Sequence, residues 1–575
     1  MAESPVSSPS DSGTDEPSSN KGYHRQTAST STTATDMPPT IPRAAHYRMA
    51  SASTVDTYVD PKSAHRPMAS TSTSASTIAF GKHMAVYEDP ILEKDFDLEK
   101  PGAHSPKAST SSSNSSINMK KEMAAYEGPV PGKDLPQPFR GLIYRIFIPY
   151  RFLFSLVWIG NIAAAVGVYI NGPDREWLGT MVAINLALAV LIRQDFVINA
   201  VYTVTCSVPK SWPLWIRAST AKIYHLGGVH SSAASCAALW LIAANATDAA
   251  CLSLGTCANY PPRSIAYQVL SWMLVVMFIA MMTFAYPAFR KARHNFFERF
   301  HRFVGWSMLA IFWAQTLVSI GDNAALKGTS YGMELLPTPA FWLLSVATLS
   351  VAMSWFFLKR VPVVSEVLSN HAIRLHFGYT VPVNGSFARL SFRPLIEWHS
   401  FATIPAPKPH GPPEDPERYP AGYSLMVSNA GDWTKWCINN PPRSLWVRGV
   451  PTCGVMRIAT LFRRVVVVAT GSGIGPCLGH IQDPSCPTQV LWSTRDPEKT
   501  FGPGVIGAIK DKVPDAVIWD TTKLGRPDMV RLSYNMVVEF GAEAVVVISN
   551  EKITKKIVYG LETRGIPAYG AIFDS

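Results

Sequence analysis

Six apolar runs, each of about the length that crosses a membrane, constrain this chain more than any other feature. Few charges interrupt them, and they follow one another closely in the middle of the 575 residues. They cover residues 152–170, 177–192, 226–244, 266–289, 303–320 and 341–358. The sequence therefore predicts a six-helix transmembrane bundle over residues 140–360, with the lipid bilayer as its surroundings.

The positive charge of the chain lies mainly beside these runs. Basic residues precede the first, third and fifth runs and follow the sixth, where Lys359 and Arg360 stand. Because positive charge marks the cytoplasmic side, we expect both termini in the cytoplasm. We expect a multi-pass protein of the plasma membrane rather than the endoplasmic reticulum. The net charge of +11 comes with no nucleic-acid-binding motif, so nucleic acid is not an expected partner.

Residues 1–135 are rich in Ser, Thr, Ala and Pro, and the sequence predicts a disordered cytoplasmic tail. An internal repeat runs through the tail, because residues 68–90 recur at 107–129 and both copies end in M-A-x-Y-E-x-P. Kinases that recognise basic residues could phosphorylate the Ala-Ser elements that follow such residues in the tail. The repeat could also bind docking partners. A drifted duplication without function is the alternative.

The eight cysteines contain no C-x-x-C pair, so the sequence indicates neither a zinc site nor a disulfide framework. Cys251 and Cys257 are the exception, since both fall between the third and fourth runs on the predicted non-cytoplasmic side. A disulfide could form there.

Beyond the bundle, the pattern changes twice. Residues 361–460 contain short β-rich runs broken by Pro and Gly, which predict a small antiparallel β-barrel. Residues 461–575 alternate strands with helices, which predicts an α/β domain with a parallel sheet. Its strands are expected at 464–469, 489–493, 516–521 and 544–549, with helices near Pro476, Asp528 and Lys552.

A glycine-rich turn follows the first of these strands. Val465 to Val468 form a β-branched run, and Gly471, Gly473 and Gly475 come directly after it, before a helix. Glycines at this point let the backbone approach a pyrophosphate, whose charge the helix N-terminus stabilises. The sequence therefore predicts dinucleotide binding.

The order of bundle, barrel and nucleotide-binding sheet resembles the ferric reductase and NADPH oxidase superfamily, whose C-terminal half is of the ferredoxin reductase type. GDWTKW at 431–436, GSGIGP at 471–476 and the terminal IFDS are most similar to the fungal TmpA-type integral membrane proteins. The resemblance covers about residues 140–575. It implies that NADPH reduces FAD, that hemes in the bundle pass electrons on to an acceptor, and that the protein acts in redox balance or fungal development.

The resemblance implies a role for several residues in binding NADPH. Its pyrophosphate loop corresponds to Gly471, Ser472, Gly473, Ile474, Gly475 and Pro476. Arg495 follows the next strand, where it favours the 2′-phosphate of NADPH, although a surface arginine is an equal alternative. Arg526, in GRPDM, is similar to the second nucleotide-contacting element, and here too an ordinary surface role is open.

For FAD, the resemblance implies His399, Phe401 and Thr403, which are similar to an H-P-F-T motif. Ser400 replaces its proline and Ala402 shifts Thr403 by one position. Thr434 lies in the GDWT element that completes the flavin site. The resemblance further implies catalytic positions at Phe573, near the C-terminus with Tyr569, and at Ser549, where many relatives carry cysteine. Packing of Tyr569 and Phe573 in the core is the competing interpretation.

For heme, the resemblance implies two histidines on each of the third and fifth spans. His225 and His301 match the first of each pair, whereas Ala238 or Leu239 and Ala314 or Gln315 stand at the second positions. One inner heme b at most is expected, and two interfacial histidines without heme are the alternative. His230 is expected to point elsewhere on its helix.

Two functions from different classes remain open. One is a membrane-embedded flavoprotein oxidoreductase that uses NADPH and FAD without a complete two-heme path across the membrane. The other is a catalytically weak or inactive redox sensor or signalling scaffold. Intact GSGIGP and GDWT favour the enzyme, whereas Ser400, Ser549 and the missing histidines favour the sensor.

Overall fold

The computed structural model describes residues 126–571, apart from 127, 134, 135, 147, 173 and 255–260. All described residues belong to one compact unit of the chain. Residues 1–125 of the predicted disordered tail, the first copy of the repeat, Cys257 and Phe573 lie outside the described residues. Cys251 is disulfide-bonded, in agreement with the prediction made for it.

The first part of the described chain is helical. Its helices are α1 Gln137–Ile146, α2 Pro149–Ile170, α3 Arg175–Leu191, α4 Asp195–Thr205, α5 Leu214–Thr220, α6 Gly227–Leu254, α7 Ile265–Ala285, α8 Pro287–Ala292, α9 His294–Lys327, α10 Tyr331–Leu335 and α11 Pro339–Phe356. A short 3-10 helix, Ala221–His225, precedes α6. The cores of α3, α6, α7, α9 and α11 share one cluster of buried apolar side chains.

Within the described residues, five helices are long and apolar enough to cross a membrane, namely α2, α6, α7, α9 and α11. The second predicted span corresponds to α3, which reaches that length only together with α4, and the two helices are bent by 77°. Gln194 starts the new helix, because its side-chain oxygen accepts the N–H group of Val197 at 3.1 Å. Five apolar runs therefore correspond to predicted spans, and a sixth span is not established.

Nine strands follow, in two antiparallel sheets. They are β1 Leu358–Pro362, β2 Val364–Val367, β3 Ala372–Phe377, β4 Ser386–Ser391, β5 His399–Ala402, β6 Ile404–Ala406, β7 Gly422–Ser428, β8 Ser444–Arg448 and β9 Thr452–Cys453, with helix α12 Asp432–Asn439 after β7. One sheet has the order β1-β8-β4-β5 with β9 against β4, and the other has the order β2-β3-β7-β6. No ladder joins the sheets among the described strands, so the predicted closed barrel is not shown. We call these strands the sheet pair.

The last part of the chain alternates strands and helices around one parallel sheet. Its elements are β10 Val465–Thr470, α13 Ile474–Gln482, β11 Thr488–Thr494, α14 Pro497–Phe501, α15 Pro503–Lys510, β12 Val517–Asp520, α16 Thr521–Leu524, α17 Met529–Phe540, β13 Ala544–Ile548, α18 Glu551–Glu562 and β14 Ala568–Gly570. The strand order is β12-β11-β10-β13-β14, and every pair is parallel. The four predicted strands and the parallel sheet are confirmed. The order of the strands along the chain switches sides between β10 and β13, and such sheets bind ligands at this switch point.

Polar contacts connect the helices to the parallel sheet. Arg217 of α5 is 2% exposed, and its guanidinium binds both carboxylate oxygens of Glu543 at 2.6 and 2.9 Å. The same guanidinium donates to the carbonyl oxygen of Leu461 at 3.0 Å. Tyr202 and Tyr224 extend the apolar core of the parallel sheet into the helices. The amino ends of β10 and β13 are thus attached to the helical part.

The end of the second repeat copy lies against the parallel sheet's helices. The side-chain amide of Asn535, on α17, donates to the carbonyl oxygens of Tyr126 at 2.8 Å and Gly128 at 2.9 Å. Arg564 donates to the carbonyl oxygen of Pro131 at 2.9 Å. The tyrosine of one M-A-x-Y-E-x-P element is therefore anchored to the folded part of the chain.

An Asn535→Ala variant tests this anchor. It removes both hydrogen bonds, each of which contributes about 0.5–1.5 kcal/mol. We expect amide hydrogen exchange of residues 128–133 to accelerate about tenfold, while exchange in the parallel sheet is unchanged. An Asn440→Ala variant, changed at an exposed position at the end of α12, is the control. Unchanged exchange at 128–133 in Asn535→Ala would show that these bonds do not hold the segment.

Candidate nucleotide and flavin site

The predicted glycine-rich turn lies at the carboxyl end of β10 and leads directly into α13. Gly471 has a φ of +51°, a conformation that glycine adopts without strain. A Cβ atom on Gly473 would lie 2.1 Å from the carbonyl oxygen of Ile548, at the end of β13. The backbone here therefore packs closer to its neighbour than any side chain permits, and the following N-terminus of α13 can face an anion. These residues fit the pyrophosphate of a dinucleotide.

Two residues that the sequence did not single out hold the turn in place. The indole N–H of Trp492, a buried residue of β11, donates to the carbonyl oxygen of Gly471 at 2.9 Å. The hydroxyl group of Ser472 hydrogen-bonds with Nε2 of His371, from the turn before β3, at 3.3 Å. The sheet pair therefore contacts the nucleotide turn directly. Neither contact has a local sequence signal, since each joins residues far apart in the chain.

A Trp492→Phe variant tests how the turn is held. It keeps an aromatic ring in the core but removes the hydrogen bond to Gly471, which contributes about 0.5–1.5 kcal/mol. We expect the Kd for NADPH to rise about threefold to tenfold, measured by isothermal titration of the purified protein. Trp342→Phe is the matched control, because the Trp342 indole makes a similar bond, to the carbonyl oxygen of Leu336 at 3.0 Å, in the helical part of the chain. Equal effects of the two substitutions would mean that the bond to Gly471 does not order the turn.

The ends of the neighbouring strands hold the other residues expected at the nucleotide. Arg495 follows β11 and is exposed, and so is Arg526 after α16. Between β11 and α14, Asp496 adopts a φ of +35°, the only positive φ of a non-glycine residue in the described part of the chain. Its N–H donates to the carboxylate of Asp520 at 3.1 Å. Such backbone strain is concentrated at binding sites. In the sequence, it is indicated only by the Asp-Pro pair that follows the strand.

Ser549 lies at the same edge. Its hydroxyl group hydrogen-bonds with that of Thr470, the last residue of β10. The next residue, Asn550, begins α18 by accepting the N–H group of Ile553 at 3.0 Å. Ser549 is therefore placed within one residue of the nucleotide turn. The hydroxyl group of Ser549 can hydrogen-bond to a bound molecule and orient it. Because the residue is serine and not cysteine, no thiolate is available at this position.

The residues expected at the flavin form an aromatic cluster. The rings of His399 and Phe401, on β5, are stacked with Trp433 of α12, with centroids 4.5 and 5.5 Å apart. Among the described residues, the buried Nε1 of Trp433, Nε2 of His399 and Oγ of Ser391 have no hydrogen-bond partner. The nearest carboxylate to His399 is that of Glu397, at 3.8 Å. Orphaned polar atoms beside aromatic rings fit a bound heteroaromatic ring system.

Burial lowers the pKa of His399, and the nearby carboxylate of Glu397 only partly opposes this. The imidazole is therefore neutral near pH 7, with one nitrogen able to donate and one to accept. A neutral ring stacked on an indole can hydrogen-bond to a flavin without adding charge.

Two other residues expected at the flavin are engaged by backbone groups. Thr403 is 2% exposed, and its hydroxyl donates to the carbonyl oxygen of Ser386 at 3.1 Å. The hydroxyl of Thr434 accepts the N–H groups of Ala430 and Gly431, both at 2.9 Å. Each therefore shapes the backbone. The site does not require a direct contact from either hydroxyl.

Tyr569 is part of the core. Its ring lies 5.6 Å from that of Phe462, and its hydroxyl donates to the carbonyl oxygen of Ala218 at 2.9 Å. Burial raises the pKa of Tyr569, so the hydroxyl remains a neutral donor. The structure therefore places this residue as the core-packing interpretation predicts.

The histidines differ from the predicted arrangement. His225 ends the 3-10 helix before α6, and its ring is tilted against that of Tyr224, with centroids 4.3 Å apart. The ring of His301 lies 5.4 Å from that of Phe297 and 6.0 Å from that of His230. Nδ1 of His230 hydrogen-bonds with the carbonyl oxygen of Ala189 at 2.7 Å. The prediction that His230 points elsewhere was wrong, because its ring lies toward His301. The expected heme is not supported, and the described residues contain no group of three or more side chains that could hold a metal ion.

Comparison with known proteins relates the chain to reductases. Residues 455–575 match the family model of the C-terminal domain of adenylate-forming reductase 03009. Adenylate-forming reductase 03009 of Coprinopsis cinerea is 45% identical over 439 residues, which are 76% of this chain and 41% of that protein. Adenylate-forming reductase 06235 of the same fungus is 44% identical over 438 residues, with the same coverage. The chain thus spans about two fifths of the length of the curated relatives that it matches.

Among solved structures, a variant of ferredoxin-NADP+ reductase from Plasmodium falciparum in complex with 2′P-AMP is similar to part of the chain. The match has 10% sequence identity and a TM-score of 0.28, and it covers 38% of this chain and 95% of that protein.

Proposed function

We propose that the chain is a membrane-embedded flavoprotein oxidoreductase that takes hydride from NADPH onto FAD, as its resemblance to the ferric reductase and NADPH oxidase superfamily implies. The observation that carries the proposal is the glycine turn at Gly471 and Gly473, at the carboxyl edge of the parallel sheet. The relatives in Coprinopsis cinerea are named reductases, which supports the same class of chemistry. A role in redox balance or development remains part of the proposal.

In this account, FAD supplies a ring that accepts hydride from the nicotinamide. The turn holds the pyrophosphate of NADPH, and Arg495 contacts its 2′-phosphate. Ser549 and Thr470 border the space next to the turn, where the nicotinamide ends. His399 and Trp433 present unpartnered polar atoms to the flavin, while Phe401 packs behind the indole. The contact of His371 with Ser472 keeps the two binding surfaces together.

The further path of the electrons is proposed to stay on the cytoplasmic side of the plasma membrane. No step is assigned to heme. The acceptor is a soluble molecule or a partner that reaches the flavin from that side.

The proposal is tested first by cofactor content. Full-length protein purified in detergent should release about one FAD per chain on denaturation, identified by chromatography against flavin mononucleotide. Protein that shows a cooperative thermal unfolding transition, and is therefore folded, but contains no flavin would exclude the oxidoreductase and favour a scaffold. The hydrogen bond of Ser549 with Thr470, in place of a reactive thiol, is the observation that favours that second candidate.

Cofactor choice gives a second test. Arg495→Ala should raise the Kd for NADPH up to about fivefold, because an exposed ion pair contributes up to about 1 kcal/mol. The Kd for NADH should be unchanged, since NADH lacks the 2′-phosphate. Lys499→Ala removes a neighbouring exposed cation on α14 and should alter neither value. Equal weakening of both nucleotides by Arg495→Ala would remove Arg495 from the 2′-phosphate site.

A further inference from the structure

A cavity of about 440 Å³ lies inside the helical bundle, at the end farthest from the sheets. Residues of α3, α6, α7, α9 and α11 line it, including Thr180, Leu241, Tyr267, Phe312 and Leu344. Its volume falls within the range of about 300–1,000 Å³ that is typical of small-molecule sites. The cavity is remote from the glycine turn, so the proposed oxidoreductase function does not account for it.

The chemistry of the cavity changes along its length. Helix α9 lines it from Phe312 to Lys327, which corresponds to about 20 Å along the helix axis. The deep end is apolar, with Phe312 against Leu241 and Leu344. The outer end carries side chains of both charges, and its charged lining residues are Asp174, Arg175, Glu176, Arg263 and Lys327. A molecule that fills the cavity must therefore be polar at one end and apolar at the other.

The charges at the outer end are not all balanced within the described residues. Arg175 is paired with Asp248 at 2.8 Å, and Lys327 with Glu334 at 2.8 Å. Arg263 has no carboxylate within ion-pair distance in the described part of the chain. Its guanidinium lies 5.6 Å from the centroid of the Tyr267 ring and donates to the carbonyl oxygen of Ser319 at 3.2 Å.

Its Nε atom is buried and has no hydrogen-bond partner among the described residues. The carboxylates of Asp322 and Asp248 act on the charge of Arg263 only from beyond ion-pair distance, so they compensate it in part, and an anionic ligand in contact with the guanidinium would compensate it further. Arg263 therefore marks the position of a negatively charged head group.

The middle of the cavity contains buried polar groups. Gln315 is 9% exposed, and its amide donates to the hydroxyl of Ser271 at 2.8 Å. Thr180 and Thr316 lie on the wall nearby and are also buried. The middle of the wall is therefore polar.

We propose that this cavity binds a single-chain amphipathic carboxylate, with its head group at Arg263 and its apolar tail toward Phe312 and Leu344. The guanidinium provides the planar pair of donors that a carboxylate accepts. The volume accommodates one short apolar chain. A free fatty acid and the phosphate of a single-chain lipid share the anionic head, and the experiment separates them.

The test uses the full-length protein in phosphatidylcholine nanodiscs and labelled decanoate as the probe, with empty nanodiscs subtracted. We expect one saturable site per chain. Decanol should bind at least tenfold more weakly, and a single-chain lysophosphatidate should not displace decanoate at equal concentration. Arg263→Gln should weaken decanoate binding at least tenfold and leave decanol unchanged.

A second variant keeps the test decisive if Arg263→Gln does not fold. A Cβ atom on Gly179, which lines the cavity, meets no atom within 4 Å, so Gly179→Leu fills the space without a clash. It should abolish saturable decanoate binding. Gly160→Leu, on the exposed face of α2, is the matched control and should bind normally. Equal binding of decanoate and decanol, displacement by lysophosphatidate, or full binding by Gly179→Leu would each overturn the proposal.

Discussion

Gly473→Ala should reduce the affinity for NADPH by roughly fivefold to 150-fold, the equivalent of the 1–3 kcal/mol that overpacking costs in a close-packed site. The added Cβ atom would lie 2.1 Å from the carbonyl oxygen of Ile548, so the turn must move away from β13. Neither the added Cβ atom nor the carbonyl oxygen of Ile548 can be moved away by rotating a side chain. The displacement also shifts the N–H groups at the start of α13 that face the pyrophosphate.

The measurement is the Kd for NADPH from isothermal titration, combined with the flavin content of the same preparation. Flavin content should remain near that of the unsubstituted protein, because the aromatic cluster at Trp433 is unaffected. Gly507→Ala, in α15, is the matched control, since its Cβ atom meets nothing within 4 Å. A Gly473→Ala variant that binds NADPH normally would show that the turn is not the pyrophosphate site.

Arg217→Ala should lower the free energy of unfolding by about 3 kcal/mol, because it leaves a carboxylate without its buried partner. Arg217 binds Glu543 with two hydrogen bonds and also the carbonyl oxygen of Leu461. The midpoint of thermal unfolding in detergent measures the effect. Arg463→Ala is the control: its guanidinium lies 3.9 Å from Glu543 but is 62% exposed, so its loss should cost less than about 1 kcal/mol.

The same ion pair predicts a dependence on pH. Hydrogen bonds from Arg217 are the largest cause of the lowered pKa of Glu543. A carboxyl group whose pKa is lower in the folded than in the unfolded protein stabilises the fold above its ordinary pKa of 4.5. That contribution is lost as the pH falls through the lower, folded-state pKa. Stability should therefore decline below about pH 4.5, and less steeply in Arg217→Ala. Equal slopes in the two proteins would exclude this origin.

Elements determined by local patterns could be predicted from the sequence. The run from Val465 to Val468 is buried on both faces of a parallel sheet, so its apolar continuity alone indicates the strand. Of the glycines after it, Gly471 is favoured by its positive φ and Gly473 by its close contact with the backbone of Ile548. The predicted spans likewise follow from length and hydropathy, except where Gln194 ends one helix and begins another at 77°.

Features that depend on the phase of a helix, or on contacts between residues far apart in the chain, could not be predicted from the sequence. His230 follows a turn of 3-10 helix, and its ring lies 6.0 Å from that of His301. His371 reaches the nucleotide turn from the sheet pair and Trp492 from the neighbouring strand of the parallel sheet, 101 and 21 residues away from their partners. The motif threonines Thr403 and Thr434 use their hydroxyl groups for backbone contacts, which a motif comparison does not reveal.

The central claim is that NADPH bound at the glycine turn passes hydride to a flavin at the aromatic cluster. Anaerobic addition of NADPH to the purified full-length protein tests it most directly, with the visible flavin absorbance as the signal. The account predicts that this band bleaches, and that Gly473→Ala requires a much higher NADPH concentration for the same rate. A bound flavin that stays oxidised under excess NADPH in the unsubstituted protein would contradict it.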